Sequence, residues 1–487
     1  MHKKVILIIL ILCAFSWSSF GQEQLKKDFL SPSEIILDYD FMLKTLEETH
    51  PNLYAYISKE EFINKTDEYR ESLRKPMSKP EFHKVLYKTI ALIKQGHTMV
   101  FSDAGFGEFK DDGGLSFPFA ISYFSDHIYI DQNFSNNNQI TKGTELIAIN
   151  KIPATKIIED FTPYLVVRPN GYIAKTLAYN WSKLLWLEYG FSDQFTISYI
   201  LPNCDSIRTT RVGGVKKEFI TKDNTPRFEK DFDYHIEKDR SLAVMEINTF
   251  EFQFEEYDSL LRSSFKDIKQ NGINNLIIDV RANHGGNGNI IPTLVDYLTD
   301  KPYITSAKSE VKTSVATKKC YTTHPIFINA IEQARKAEDN SSDFLELLNC
   351  FLEKPAGTIT IFPEEKIIPP ENEYRFDGNL YVLTSNETFS SGTIFSAIIK
   401  DNDIGYIVGN ETSDNPTIYA CIMLFELPNT KITIQNSTEY SVRPAGYDDN
   451  RGVIPDFKVV PTYLDMINGY DKVLNYTYWL IDENIIY

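Results

Sequence analysis

The apolar residues of the chain follow three successive patterns, and each pattern predicts a different architecture. From about residue 31 to 95 apolar positions recur at helical spacing, and Ser58 and Ser78 each precede a glutamate by three residues, as in a helix-capping box. From about 106 to 201 the runs shorten to strands rich in β-branched and aromatic residues. Beyond residue 241 apolar strands alternate with helical segments, which indicates a buried, largely parallel sheet.

These patterns predict an α/β multidomain protein. We expect a helical N-terminal region over 22–105, a β-rich module over 106–215 and an α/β domain over 216–487. Residues from about 202 to 240 are polar and are predicted to be a connector, and residues from about 301 to 375 show little periodicity and are predicted to be an insertion.

The first 21 residues have the layout of a secretory signal peptide. A basic start at Lys3 and Lys4 is followed by an apolar run over 5–15 and by small residues over 18–21. That run is too short to span a bilayer comfortably, and no later stretch is apolar for long enough. The sequence therefore predicts an exported protein, periplasmic or secreted, with no membrane span after removal of the signal.

Composition narrows the classes of partner. The chain has 487 residues with 67 acidic and 50 basic side chains, a net charge of −17, which argues against nucleic acid and anionic membrane surfaces. Removal of the signal leaves four cysteines, whose spacing matches no zinc pattern and allows three disulfide connectivities. Cys320 and Cys350 bracket an irregular stretch within the predicted insertion and are the favoured pair.

The stretch 388–392, Thr-Phe-Ser-Ser-Gly, lies between a predicted strand and a predicted helix. A serine at such a corner presents its hydroxyl beside free N–H groups and the positive end of a helix dipole, which is a nucleophile next to an oxyanion site. On local sequence alone, an ordinary helix N-cap is the commoner explanation of Ser390.

Two further motifs carry residues suited to chemistry. His97 directly follows a helix predicted to end near Gly96, so its backbone is fixed while its ring can face a cleft. Gly285 and Gly286 follow a buried strand that closes with Asp279, and they let backbone N–H groups approach a ligand. The glycine motifs typical of nucleotide-binding sites, Gly-x-Gly-x-x-Gly and Gly-Lys-Ser/Thr, are absent from this loop, so an oxyanion loop is the better interpretation. Asp279 and Arg281 are expected to form an ion pair that braces it.

The motifs together resemble peptidase family S41, the family of tail-specific proteases and the tricorn core protease. Residues 95–98, 279–286, 388–392 and 452–456 occur in the order found in that family. The resemblance implies a ClpP/crotonase-like α/β catalytic domain. It also implies a PDZ-like module over 106–215, whose stretch 143–150 looks like part of such a module and whose Gly113-Gly114-Leu115 is a candidate carboxylate-binding loop.

Two catalytic styles occur in the family, and the resemblance favours the histidine-assisted one. Tail-specific proteases use a lysine downstream of the serine, but the corresponding stretch 409–416 contains none, and Lys400 on the predicted helix is a poor match. The resemblance therefore implies Ser390 as nucleophile, with Ser391 as the alternative register, and His97 as general base. Asp449 is the implied orienting carboxylate, with Glu411 and Asp448 as rivals.

The resemblance also places the oxyanion donors at the Ser391 N–H and at Gly285 or Gly286. The function expected is hydrolysis of peptide bonds in a peptide or protein substrate, through an acyl-enzyme and without metal or cofactor. A non-catalytic protein binding peptides or small hydrophobic ligands on the same scaffold is the alternative, and a carbohydrate-binding β-module is a third reading. The oligomeric state is left open.

Overall fold

The computed structural model describes residues 29–166, 172–191, 193–216, 230–325, 327–329, 331, 343–364 and 366–485. The expected signal peptide lies outside these residues. Among the described helices, none is both long and apolar enough to cross a lipid bilayer. The architecture is mixed α/β with several sheets, as the sequence predicts.

Three helices form the N-terminal region: α1 (Pro32–Thr49), α2 (Lys59–Ser72) and α3 (Lys79–Ala91). A complete capping box begins α1 at Ser31 and α3 at Ser78, because serine and glutamate satisfy each other's backbone N–H groups. The predicted end of α3 near Gly96 is wrong, since the helix stops at Ala91 and the chain turns before His97.

The middle of the chain forms a six-stranded antiparallel sheet in the order β2-β3-β4-β6-β7, with β5 beside β4. Trp181 and Phe195 lie in its core, where helices cover one face of the sheet. Its elements are α4 (Phe106–Asp111), β2 (Phe119–Phe124), β3 (His127–Asn133), β4 (Glu145–Ile149), β5 (Ile152–Pro153), α5 (Ala154–Phe161), α6 (Tyr172–Tyr189), β6 (Gln194–Ile200) and β7 (Arg208–Gly213).

A second six-stranded sheet has the order β19-β16-β15-β10-β9-β8. All its neighbours are parallel except β8 and β9, and fully buried apolar strands form its centre, as their sequences predict. Its elements, with the helices that lie between them in the chain, are β8 (Phe232–Glu237), β9 (Leu242–Ile247), α7 (Phe254–Gln270), β10 (Asn275–Asp279), α8 (Ile291–Val295), β15 (Asn379–Thr384), α11 (Ser391–Asp401), β16 (Tyr406–Gly409) and β19 (Phe457–Lys458).

A five-stranded antiparallel sheet connects the N-terminal helices to the C-terminal half, with the order β1-β18-β12-β13 and with β17 on the other edge of β18. The predicted insertion over residues 301–375 contributes strands β12 and β13 to this sheet, so its prediction as irregular structure is wrong in part. The predicted connector over residues 202–240 contains strands β7 and β8, so that prediction is also wrong in part. The remaining elements are β1 (Met99–Val100), β11 (Tyr303–Ile304), β12 (Lys308–Lys312), α9 (Val315–Thr323), α10 (Asp343–Glu353), β13 (Ile359–Pro363), β14 (Lys366–Ile367), β17 (Ile418–Glu426), β18 (Thr433–Val442), α12 (Tyr463–Ile467) and α13 (Lys472–Asp482).

The expected Cys320–Cys350 disulfide is wrong. Cys204, Cys320, Cys350 and Cys421 are free thiols in the described chain. Cys320, a residue of the helix α9, instead packs in an apolar cluster with Val311. Burial raises the pKa of its thiol to about 11.

Candidate active site

Ser390 lies at the corner between β15 and α11, where it is the N-cap residue of the helix. Its backbone has φ of 50° and ψ of −120°, a conformation that a non-glycine residue rarely adopts. Thr388 holds the preceding turn, because its hydroxyl donates to the Val280 carbonyl at 2.9 Å and accepts the Ser385 N–H at 3.0 Å. The strained turn projects the serine side chain away from its own helix.

His97 reaches this corner from the N-terminal region. Its Nε2 lies 3.2 Å from Ser390 Oγ, although 293 positions separate the two residues in the chain. The imidazole stacks on Phe389, with ring centroids 5.3 Å apart and planes 20° apart. The backbone is held by Gln435, whose side-chain amide donates to the His97 carbonyl at 3.0 Å. Both the ring and the main chain of the histidine are therefore fixed beside the serine.

A buried pair of side chains anchors the residue two positions before His97. His50 Nε2 donates to the side-chain carbonyl of Gln95 at 2.5 Å, and the Asn52 N–H donates to His50 Nδ1 at 3.1 Å. Burial lowers the pKa of His50 to about 3, so this imidazole is neutral at physiological pH and keeps the tautomer that the two bonds require.

The Gly285-Gly286 loop lies against the serine. Both glycines have positive φ, of 108° and 135°, and a Cβ on Gly286 would lie 2.4 Å from the Phe250 carbonyl carbon. Asn283 sets the loop, because its side-chain oxygen accepts the Gly285 N–H at 2.8 Å and its amide donates to the Ile247 carbonyl at 2.9 Å. The same residue accepts the Phe389 N–H on its main-chain carbonyl at 2.9 Å, which ties the loop to the serine turn.

Two backbone N–H groups are open at this corner. Within the part of the chain that the structure describes, neither the Ser391 N–H, in the first turn of α11, nor the Gly286 N–H donates a hydrogen bond. The Gly285 N–H is occupied by Asn283. Of the two glycines named from the sequence, Gly286 thus keeps the available donor, and the N-terminus of α11 adds its dipole.

The neighbouring serine has a different environment. Ser391 Oγ donates to the Gly286 carbonyl at 2.8 Å, which joins the helix start to the glycine loop. The hydroxyl that meets His97 is that of Ser390.

The structure does not join His97 to any of the three carboxylates considered from the sequence. Asp449 is exposed and accepts the Arg451 N–H at 3.2 Å. Asp448 accepts from the Asn415 side chain at 2.8 Å, and Glu411 pairs with Arg451.

The two other charged residues singled out from the sequence form ion pairs. Arg281 Nη2 lies 2.6 Å from Asp279 Oδ2, and Arg281 Nη1 lies 2.7 Å from Asp471 Oδ1, so the strand end is braced from the C-terminal helix as well. Lys400 on α11 pairs with Asp456.

Sequence reasoning gave no role to Asn283 or Phe389. For Asn283 a signal exists, because an asparagine two residues before a glycine often accepts that residue's N–H in an Asx turn. For Phe389 no local signal exists, because its partner His97 is remote in the chain.

Comparisons with known proteins bear on the same residues. The model of peptidase family S41 matches residues 241–459, which include Ser390 and both glycines of the loop. No curated protein matches the chain in sequence.

Solved structures extend the likeness to nearly the whole chain. The structure of mature CPAF complexed with lactacystin superposes with a TM-score of 0.67 at 17% identity, covering 93% of this chain and 99% of that chain. Mature CPAF superposes with a TM-score of 0.64 at 17% identity, covering 93% and 98%. At this identity the likeness establishes a shared fold, and the family match over residues 241–459 supports a serine-type peptidase domain of family S41.

Proposed function

We propose that this peptidase is an exported endopeptidase that uses Ser390 as nucleophile and His97 as general base. The observation that carries the proposal is the 3.2 Å approach of His97 Nε2 to Ser390 Oγ. A serine hydroxyl is a weak nucleophile until a base within hydrogen-bonding distance takes its proton, and such a base contributes roughly 100- to 10,000-fold.

The geometry supports an acyl-enzyme reaction. Ser390 Oγ attacks the scissile carbonyl carbon while its proton passes to His97 Nε2, and the carbonyl oxygen becomes an oxyanion. The open N–H groups of Ser391 and Gly286 would donate to that oxygen. His97 then gives its proton to the leaving amine. A water molecule, deprotonated by the same imidazole, attacks the acyl carbon, and the imidazole returns that proton to Ser390 Oγ as the acyl group leaves as a carboxylic acid.

Asp449 is the carboxylate that the family resemblance suggests for orienting the histidine. Its exposure and its bond to the Arg451 N–H support a smaller role, while Phe389 stacks on the imidazole and Gln435 holds the main chain of His97. We therefore propose Ser390 and His97 as the catalytic pair, and Asp449→Asn is expected to change the rate far less than His97→Ala.

Export and peptide binding by the middle sheet also belong to this proposal. Export rests on the signal-like residues 1–21, and cleavage near Gly21 would be detected by N-terminal analysis of secreted material.

The sheet of β2 to β7 would hold a peptide as a PDZ-like module does, by adding a strand. Packing also explains why a glycine stands at position 114 of the candidate carboxylate-binding loop, because a Cβ there would lie 2.4 Å from the Phe109 ring.

A fluorophosphonate probe tests the nucleophile directly. We expect labelling of the native protein, with labelling lost in Ser390→Ala and strongly reduced in His97→Ala. Ser391→Ala is the matched control, since it removes a neighbouring hydroxyl bonded to Gly286 while leaving the His97 contact. Labelling that survives Ser390→Ala would overturn the assignment.

Two measurements extend this test. Activity should decrease towards acidic pH, because a protonated imidazole cannot accept the serine proton. A native protein that no serine-directed probe labels, and that still binds peptides, would favour the non-catalytic alternative.

A further inference from the structure

We propose that the peptide substrate extends the five-stranded sheet by pairing with the outer edge of β1, the short strand that follows His97. Val100 would exchange two main-chain hydrogen bonds with the peptide, and Met99 and Phe101 would contact apolar side chains beside them. This inference rests on the peptidase activity proposed above and names where that substrate binds.

The hydrogen-bonding pattern of β1 identifies its open edge. The strand pairs antiparallel with β18, Met99 opposite Gln435 and Val100 opposite Ile434, and the Phe101 N–H donates to the Thr433 carbonyl at 2.9 Å. In an antiparallel pair, alternate residues direct both main-chain polar groups to the partner. The N–H and C=O of Val100 therefore point away from β18, and no backbone group in the described chain bonds to them.

The topology leaves a strand-sized place beside β1. β17 pairs with β18 along residues 433–441 and so occupies one of its two edges. β1 and β12 must then share the other edge, where β12 pairs with residues 439–442. β13 covers the outer side of β12, but no strand of the described chain lies outside β1. A peptide there would continue the layer that β13 begins.

The side chains of β1 suit an apolar peptide. Val100 is buried in the core formed with the N-terminal helices, which fixes the strand. Because side chains alternate, Met99 and Phe101 share the opposite face, and they are 38% and 46% exposed. Two exposed apolar residues flanking an unpaired N–H and C=O are the features by which strand addition gives both affinity and side-chain preference.

The distance to the catalytic pair fits a substrate rather than a remote ligand. Val100 follows His97 by three residues, and an extended chain advances about 3.3 Å per residue, so the Cα atoms of these two residues lie within about 10 Å of each other. A peptide bound there would pair two or three residues from the scissile bond. Substrates too short to reach β1 should be unaffected by changes at that edge.

Val100→Pro tests the edge, because proline removes only the outward N–H and leaves the ladder to β18 intact. For peptides that extend at least three residues on both sides of the cleaved bond, we expect kcat/KM to fall about three- to tenfold, the net value of one hydrogen bond. The rate for a short ester substrate and the rate of fluorophosphonate labelling should not change. Val100→Ala is the matched control, since it loses more side-chain volume yet keeps the N–H.

The substrate side provides an independent check. N-methylation of the peptide amide that faces the Val100 carbonyl removes the second of the two bonds, so it should lower kcat/KM for the native enzyme, whereas N-methylation of the adjacent amide, which faces away from β1, should lower it less. Equal losses for long and short substrates, or equal losses for the two methylated peptides, would overturn the proposal while leaving the serine peptidase activity in place. A native protein inactive towards every substrate and probe would instead refute the proposed function.

Discussion

Gly285 lies so close to Ser390 that a Cβ on the glycine would be 2.7 Å from the serine Cβ and 3.1 Å from its Oγ. The nucleophile and the glycine loop are therefore fitted to each other at van der Waals contact. The absence of a side chain at residue 285 is part of what sets the position of the hydroxyl.

Gly285→Ala should abolish most of the activity while leaving the protein folded. The added methyl group must displace Ser390 from His97, and a displacement of about 1 Å is worth on the order of 100-fold in rate. We expect kcat/KM to fall by that order, measured on peptide substrates with circular dichroism as the check on folding.

Gly357→Ala is the matched control. Gly357 also has positive φ, of 89°, but a Cβ there meets no atom within 4 Å. It carries the backbone strain without the contact, so it should lower stability slightly and leave kcat/KM unchanged. Equal activity losses in the two variants would assign the effect to strain rather than to the serine.

Asn283→Ala should loosen the same loop from its other side. The Gly285 N–H and the Ile247 carbonyl would both lose a buried partner, and each loss costs about 1–3 kcal/mol. We expect a lower free energy of unfolding and, because the Gly286 N–H would shift, a decrease in kcat of up to about 100-fold. The exposed Asn271, changed to alanine, should reproduce neither effect, and an Asn283→Ala enzyme with native kcat would contradict the proposed oxyanion donor.

The parallel sheet could be predicted from the sequence because burial on both faces makes its strands continuously apolar. The observed β9 and β15 follow the runs of Leu242 and Leu380 to within a residue. The strand β12 could not be found in this way. Of its five residues only Val311 is buried, so it has no strand-like apolar pattern, and its partner β18 lies more than a hundred residues away.

The residues of the candidate site also differ in how well the sequence could locate them. Ser390 and the two glycines lie at ends of apolar strands, so the pattern that predicts the strands also locates them. Asp449, the carboxylate expected to orient the histidine, does not lie at the end of an apolar strand. Asp449 lies in an exposed loop whose course depends on contacts such as that with Arg451, and motif order alone could not fix where its side chain points.

The buried imidazole of His50 should make stability depend on pH. Burial holds its folded-state pKa at about 3, whereas an unfolded histidine titrates near 6.5. Between these values the unfolded chain binds a proton that the folded chain excludes, so stability is greatest above pH 6.5 and falls with decreasing pH by up to about 1.4 kcal/mol per unit.

His50→Phe isolates this contribution, because it keeps a ring against Tyr419 and removes the titrating group. Urea unfolding at pH 7, 6 and 5 should give a shallower loss of stability in the variant, whatever its absolute stability. His83, whose pKa burial lowers to about 4, titrates in both proteins and cancels in the comparison. Parallel pH profiles would contradict a neutral, buried His50.

The ion pair of Arg443 and Asp401 should be far more important for stability than the many surface pairs. It joins β18 to the end of α11, its side chains are 2% and 4% exposed, and Arg443 Nη2 lies 2.7 Å from Asp401 Oδ1. Arg443→Met would leave a buried carboxylate without its partner, which costs about 3–5 kcal/mol. Arg74→Met, which removes the exposed pair with Glu71, should cost about 0–1 kcal/mol.

Chemical denaturation of both variants measures the difference in free energy of unfolding. The double change Arg443→Met with Asp401→Leu should recover much of the loss, because no charge is then left buried. If the two single variants unfold alike, the pair does not hold α11 and its serine corner to the sheet.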